Sequence, residues 1–100
     1  MRLTSHEKFV QFIEQYPECY SIAESEMFLK FLRAFAESPK ALNEFKVMAP
    51  NIEEMDIKLI ILALESAKLI KKTTGIQKEV YYPTSKAKKL LTLYNEAKNE

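Results

Sequence analysis

A single cysteine, Cys19, excludes an internal disulfide and any zinc centre built on cysteine pairs, and reads as a half-buried structural thiol. The only histidine, His6, has no second His or Cys near it to share a metal, so it reads as a surface residue. One glycine and four prolines leave few places for tight hairpins, so sheet content is expected to be small. The longest apolar run, Leu59 to Leu64, falls far short of the roughly 18 residues of a membrane span. The opening MRLTSHEKF lacks the apolar core of a secretory signal, and a cytoplasmic protein without membrane contact is the expectation. There is no Gly-rich phosphate loop, no nucleophile-base arrangement and no evident carboxylate pair, so no enzyme, metal or cofactor is expected. The acids Glu53, Glu54 and Asp56 suit the positive end of a helix dipole better than a metal.

What the chain does have is 47% hydrophobic and 29% charged residues. That is the balance of a helix-rich globular domain, and 100 residues bury roughly two-thirds of their unfolded surface without a staple. Charge is placed unevenly: residues 1 to 67 hold seven Lys/Arg against eleven Asp/Glu, or −4, and residues 68 to 100 hold eight against three, or +5. One face is therefore expected to tolerate phosphate or an acidic partner.

Taken in order, Thr4 and Glu7 form a capping box, and Phe9, Phe12, Ile13 and Tyr16 recur at helical spacing until Pro17, predicting a helix over Ser5 to Tyr16. Its stripe must bury against the domain or against a second copy of the chain. Ser21 with Glu24 offers a second capping box, with Ser25 as an alternative cap. Met27, Phe28, Phe31, Leu32 and Phe35 predict a helix over Ile22 to Glu37 that supplies the aromatic core. Ser38-Pro39 starts a short helix to about Lys46, broken by Val47 to Pro50. Asn51, with Glu54 three residues on, caps the next helix, giving a helix-turn-helix order. That helix is apolar nearly all round, with only Glu54, Lys58 and Glu65 as a polar stripe, which predicts that it is covered on most sides. Leu69-Ile70 opens a strand, Thr73-Thr74-Gly75 is the turn, and Glu79 to Tyr82 returns. Lys71, Lys72, Thr73, Thr74, Gln77 and Lys78 are expected at the tip. Thr84 or Ser85 caps a last helix with an apolar stripe of Ala87, Leu90, Leu91, Tyr94 and Ala97. Lys86, Lys88 and Lys89 in its first turn either face an anionic partner or are solvated.

The stretch Leu64-Glu-Ser-Ala-Lys68-Leu69-Ile70, followed by Val80-Tyr81-Tyr82-Pro83-Thr84-Ser85-Lys86-Ala87-Lys88-Lys89-Leu90-Leu91, resembles the winged helix-turn-helix family of MarR- and PadR-like prokaryotic regulators. That family ends its recognition helix in Leu-x-x-x-Gly-Leu-Ile and leaves its wing through Tyr-x-x-Thr-x-x-Gly-x-x-Leu-Leu. The likeness spans about residues 22 to 94, with Lys68 and Ala87 standing at the two family glycines.

The resemblance implies a mainly α fold with a small antiparallel β-hairpin (α+β): a winged helix-turn-helix with an extra N-terminal helix and a C-terminal helix. One domain over 1–100 is expected, with the helix extension over 1–20, helix-turn-helix and wing over 22–83, and the last helix over 84–98. It also implies a transcriptional regulator on double-stranded DNA, its recognition helix in the major groove and its wing on the backbone. The contacts would come from Lys40, Asn43, Lys46, Asn51, Lys58, Lys71, Lys72, Thr73, Thr74, Gln77 and Lys78. A homodimer through Phe9, Phe12, Ile13, Tyr16, Leu90, Leu91 and Tyr94 accompanies that reading. The alternative is a winged helix used as a protein-interaction module without sequence-specific DNA binding, because winged helices also serve in protein assembly.

Overall fold

In the computed structural model, which describes residues 3–39, 41–74 and 79–99, the first helix starts where its cap predicts. The Thr4 hydroxyl accepts from the Glu7 N–H at 3.1 Å and the Glu7 carboxylate accepts from the Thr4 N–H, opening α1 over Ser5–Gln15. Tyr16 caps its far end, and Pro17 stops it.

The single helix expected over Ile22 to Glu37 is two: α2 (Cys19–Glu24) and α3 (Glu26–Glu37). The reason is Ser25, whose extended backbone breaks the run and whose hydroxyl accepts from the Phe28 N–H. The capping box expected from Ser21 is absent, since α2 already begins at Cys19. Cys19 is fully buried rather than half-buried.

The next helix, α4 (Leu42–Met48), starts later and runs further than Ser38-Pro39 predicts. Its entry is fixed by Glu44, whose carboxylate accepts from the Ala41 N–H at 3.0 Å, half of a capping box with no hydroxyl on the other side. The helix α5 (Glu54–Ser66) follows. Glu53, not Asn51, is its N-cap, without a side-chain bond, and Glu54 and Asp56 in the first turn complement the helix dipole.

The end of α5 is set by Lys68, the sole positive-φ residue among those described, at φ 61°. Around it the Leu69 N–H bonds the Leu64 carbonyl at 3.0 Å and the Lys68 N–H bonds the Glu65 carbonyl at 2.9 Å. These are the two closing bonds of a Schellman turn, made with lysine at the position glycine usually takes, at a cost of about 1 kcal/mol.

That turn launches β1 (Ile70–Thr74), which pairs antiparallel with β2 (Glu79–Pro83) in the register Ile70 to Pro83, Lys71 to Tyr82 and Lys72 to Tyr81. Lys71 and Lys72 thus stand near the root of the pair, not at its tip. Thr84 then ties three elements together: its hydroxyl bonds the Lys68 carbonyl at 2.8 Å, its N–H bonds the Leu69 carbonyl, and its oxygen accepts from the Ala87 N–H to cap α6 (Ser85–Lys98).

The core gathers around α3. Phe35 and Phe31 pack on Phe45 of α4 with ring centroids 4.4 Å and 5.2 Å apart, and Tyr81 of β2 approaches Phe35 edge-on. Leu29 and Leu32 are buried beside them, while Met27 faces out. From α5 the core takes Ile57, Ile60, Ile61 and Leu64. The helix is therefore not covered on most sides, because Met55, Leu59 and Leu62 remain more than half exposed.

The stripes expected to pair two copies of the chain are used within one. Helix α1 lies along α6. Phe12, Leu90 and Leu91 are buried, Phe9 meets the Tyr94 ring edge-on at 5.9 Å, and Phe9, Ile13, Tyr16 and Tyr94 pack against the core. Phe12, Leu90 and Leu91 are thus interior, and Phe9, Ile13, Tyr16 and Tyr94 are partly covered within the one chain. No helix among the described residues is long and apolar enough to cross a membrane.

Candidate interaction surface

The residues of α5 divide between two opposite faces. Ile57, Ile60, Ile61 and Leu64 point into the core, while Met55, Leu59 and Leu62, spaced four and three residues apart, form a ridge on the other side at 65%, 55% and 56% exposure. Three large apolar groups in a row on one exposed helix face are more than the scattered singles a surface ordinarily carries.

A groove flanks the ridge on each side. One, of about 530 Å³, is lined by Met27, Phe28 and Ile52 with Glu53 and Asp56 at its lip, and Leu59 and Ile60 form its α5 wall. The other, of about 430 Å³, lies between Leu42, Tyr81 and the Lys58, Leu62 and Glu65 side of α5.

Charges nearby are partly spent on each other. Lys46 reaches Glu54 at 2.8 Å across the α4–α5 turn, and Lys58 approaches the same carboxylate at 3.8 Å. The hydrogen bond from Lys46, followed by its charge, holds the Glu54 carboxyl below its ordinary value. Both lysines are among the sequence-predicted DNA contacts. Asn43 and Asn51, also predicted, are exposed: Asn43 is on α4, and Asn51 lines the first groove together with Leu59 of the ridge.

On the hairpin, Lys71, Lys72 and Thr73 are exposed, and the Thr73 hydroxyl donates to the Val80 carbonyl at 3.1 Å. Lys71 and Lys72 share a hollow of about 660 Å³ with Lys68, Glu65, Tyr82 and Thr84. Sequence reading placed Lys68 only as a helix terminator, and its part in this cationic hollow follows from the left-handed turn. Lys40, Gln77 and Lys78, and the side chain of Thr74, lie outside the described residues.

Lys86 is neither solvated nor aimed at a partner. Its amine donates to the Ala67 carbonyl at 2.7 Å and to Glu18 at 2.9 Å, and lies 4.3 Å from the centre of the Tyr16 ring. Glu18 is held below its ordinary pKa chiefly by that hydrogen bond. Lys88 and Lys89 remain exposed. Burial pushes the Cys19 thiol up, so it stays protonated at neutral pH. Among the described residues no cluster of three His, Cys, Asp or Glu could hold a metal ion.

No family model, no curated protein and no solved structure matches this chain. Of the two surfaces, the hollow is lined by Lys68, Lys71 and Lys72 together with the acid Glu65, and the ridge offers apolar area to another apolar surface. A DNA-reading helix needs donors and acceptors aimed at base edges. The exposed positions of α5 are Glu54, Met55, Asp56, Lys58, Leu59, Leu62 and Ser66, with a single cation among them.

Proposed function

We propose that this chain is a cytoplasmic, non-catalytic winged-helix module that works by protein contact, with α5 in the recognition-helix position presenting its apolar ridge to another polypeptide. The observation that carries this reading is the more than half exposure of Met55, Leu59 and Leu62 on the one face of α5 not used by the core. Burying such a ridge is favourable by roughly 25 cal/mol per Å², whereas placing it in a major groove leaves base edges without partners. The exposed acids Glu53 and Asp56 beside it repel phosphate, whereas Glu54 is already paired with Lys46 and Lys58.

A photo-crosslinking side chain at position 59, compared with one at position 71, tests the proposal in the cell that makes the protein. Polypeptide adducts at 59 are expected. Nucleic-acid adducts at 71, with none to polypeptide at 59, would overturn it.

A second reading, a DNA-binding regulator, is favoured by one feature, the presence of Lys68, Lys71 and Lys72 in the lining of one hollow. In that reading the hairpin is the wing and rests on the phosphate backbone. Titration on duplex DNA at two salt concentrations separates the readings, because several phosphate contacts require affinity to fall steeply as salt rises.

A further inference from the structure

We infer that the polypeptide seated on the α5 ridge is a second copy of this chain, with the two α5 helices packed antiparallel about a two-fold axis. This rests on the protein-contact reading above and names its partner.

The first support is spacing. Met55, Leu59, Leu62 and Ser66 follow one another at intervals of four, three and four, the repeat that keeps one seam of a helix facing a neighbouring helix. All four are exposed, and the buried set of Ile57, Ile60, Ile61 and Leu64 occupies the opposite side. A seam of this kind is what a helix partner requires, and α5 supplies one that nothing within the chain covers among the described residues.

The second is charge. Lys58 and Glu65 lie along the same edge of the seam, seven residues apart. Set antiparallel so that Leu59 of each copy lies opposite Leu62 of the other, Lys58 of one copy comes within two residues' rise, about 3 Å, of Glu65 of the second. The two-fold makes that contact twice. On the other edge Asp56 comes near Ala63 of the second copy, so no like charges meet. A parallel pairing instead sets Lys58 against Ala63, leaving Lys58 only Glu54 of its own helix and giving Glu65 no cation across the seam.

Area is the third. Helix α5, thirteen residues long, spans roughly 20 Å, which alone is short of the ~800 Å² per partner that a stable interface buries. The flanking grooves add Met27 and Ile52 on one side and Leu42 and Tyr81 on the other, as a two-fold contact across a ridge needs.

Light scattering or sedimentation of the full chain, from micromolar to sub-millimolar concentration, tests this. Twice the chain mass is expected for the natural sequence. Leu59→Glu is expected to give a monomer with unchanged helicity, since residue 59 lies outside the core. Lys58→Glu and Glu65→Lys are each expected to weaken association about tenfold and, combined, to restore it. A natural chain that stays monomeric overturns the inference, although polypeptide adducts at position 59 would then still uphold protein contact with a different partner. A dimer that survives Leu59→Glu overturns it too, by locating the interface elsewhere, and failure of the double exchange to restore association overturns the antiparallel register.

Discussion

The Lys86 amine sits 2.7 Å from the carbonyl oxygen of Ala67, the last turn of one helix held by the first turn of another. Helix α5 ends in carbonyls that carry partial negative charge, and a lysine is a favourable cap there. The same amine bonds Glu18 and lies over Tyr16, so one side chain, 16% exposed, joins the α1–α2 link, α5 and α6. Replacing it with methionine keeps the stem and removes the donor. Lys86→Met is expected to cost about 2 kcal/mol by urea denaturation, and the exposed Lys88→Met less than about 0.5 kcal/mol.

Lys68 holds a left-handed backbone that glycine adopts freely. Relief of that strain is offset in part by the greater freedom of glycine in the unfolded chain. Lys68→Gly is expected to gain about 0.5–1 kcal/mol, and Lys68→Val, β-branched at the same φ, to lose about 1 kcal/mol or more. The midpoint of urea unfolding, with the slope held constant, is the measure.

Opposite faces of α5 predict opposite sensitivities. Leu64 is fully buried and Leu62 is more than half exposed, two residues apart in the same helix. Leu64→Ala is expected to lower stability by about 3 kcal/mol, and Leu62→Ala by less than about 0.5 kcal/mol when measured dilute enough to exclude self-association.

Acidification acts through Glu18 and Glu54, both held below the ordinary carboxylate value of 4.5 by lysine hydrogen bonds. A group whose folded pKa is depressed contributes stability above its unfolded pKa and loses it as pH falls through the folded one. The urea midpoint is therefore expected to fall below pH 4.5. The difference between the natural chain and Glu18→Gln should shrink over that window. A difference that persists unchanged at lower pH would show that the carboxylate charge is not its source.

Cys19 is buried, with its thiol pushed up by desolvation. Thiolate is the reactive form, so a disulfide-exchange reagent is expected to leave it untouched in the native protein and to label it at once in denaturant. Its labelling rate across urea concentrations would report the opening of the α1–α2–α6 corner.

Local chemistry was the legible part of the fold. Thr4 with Glu7, Thr84 ahead of α6, and the Ile70 and Glu79 starts of the strands are all set by neighbours within a few residues, which sequence displays directly. Competing caps were less readable: Ser25 beat Ser21, and Glu44 fixed α4 from inside where Ser38 offered a cap outside.

The candidate surface was hidden by its own pattern. Read together, the Met55-Leu59-Leu62 and Ile57-Ile60-Ile61-Leu64 sets make α5 look apolar on all sides and hence enclosed. They are instead two stripes half a turn apart, one buried and one exposed, and only the tertiary packing shows which one the chain fills. The terminal stripes misled in the reverse sense, because Phe9 and Tyr94 lie 85 positions apart in sequence and yet meet within one chain.

That last contact has a consequence for how the protein is made. Helix α1 leaves the ribosome well ahead of α6, the helix it docks on. Phe9 and Phe12 therefore stay bare until α6 has been made, and the fold closes like a clasp only when Tyr94 has emerged. A stalled nascent chain cut short before α6 should bind chaperone through Phe9 and Phe12, which pack into the core of the finished protein.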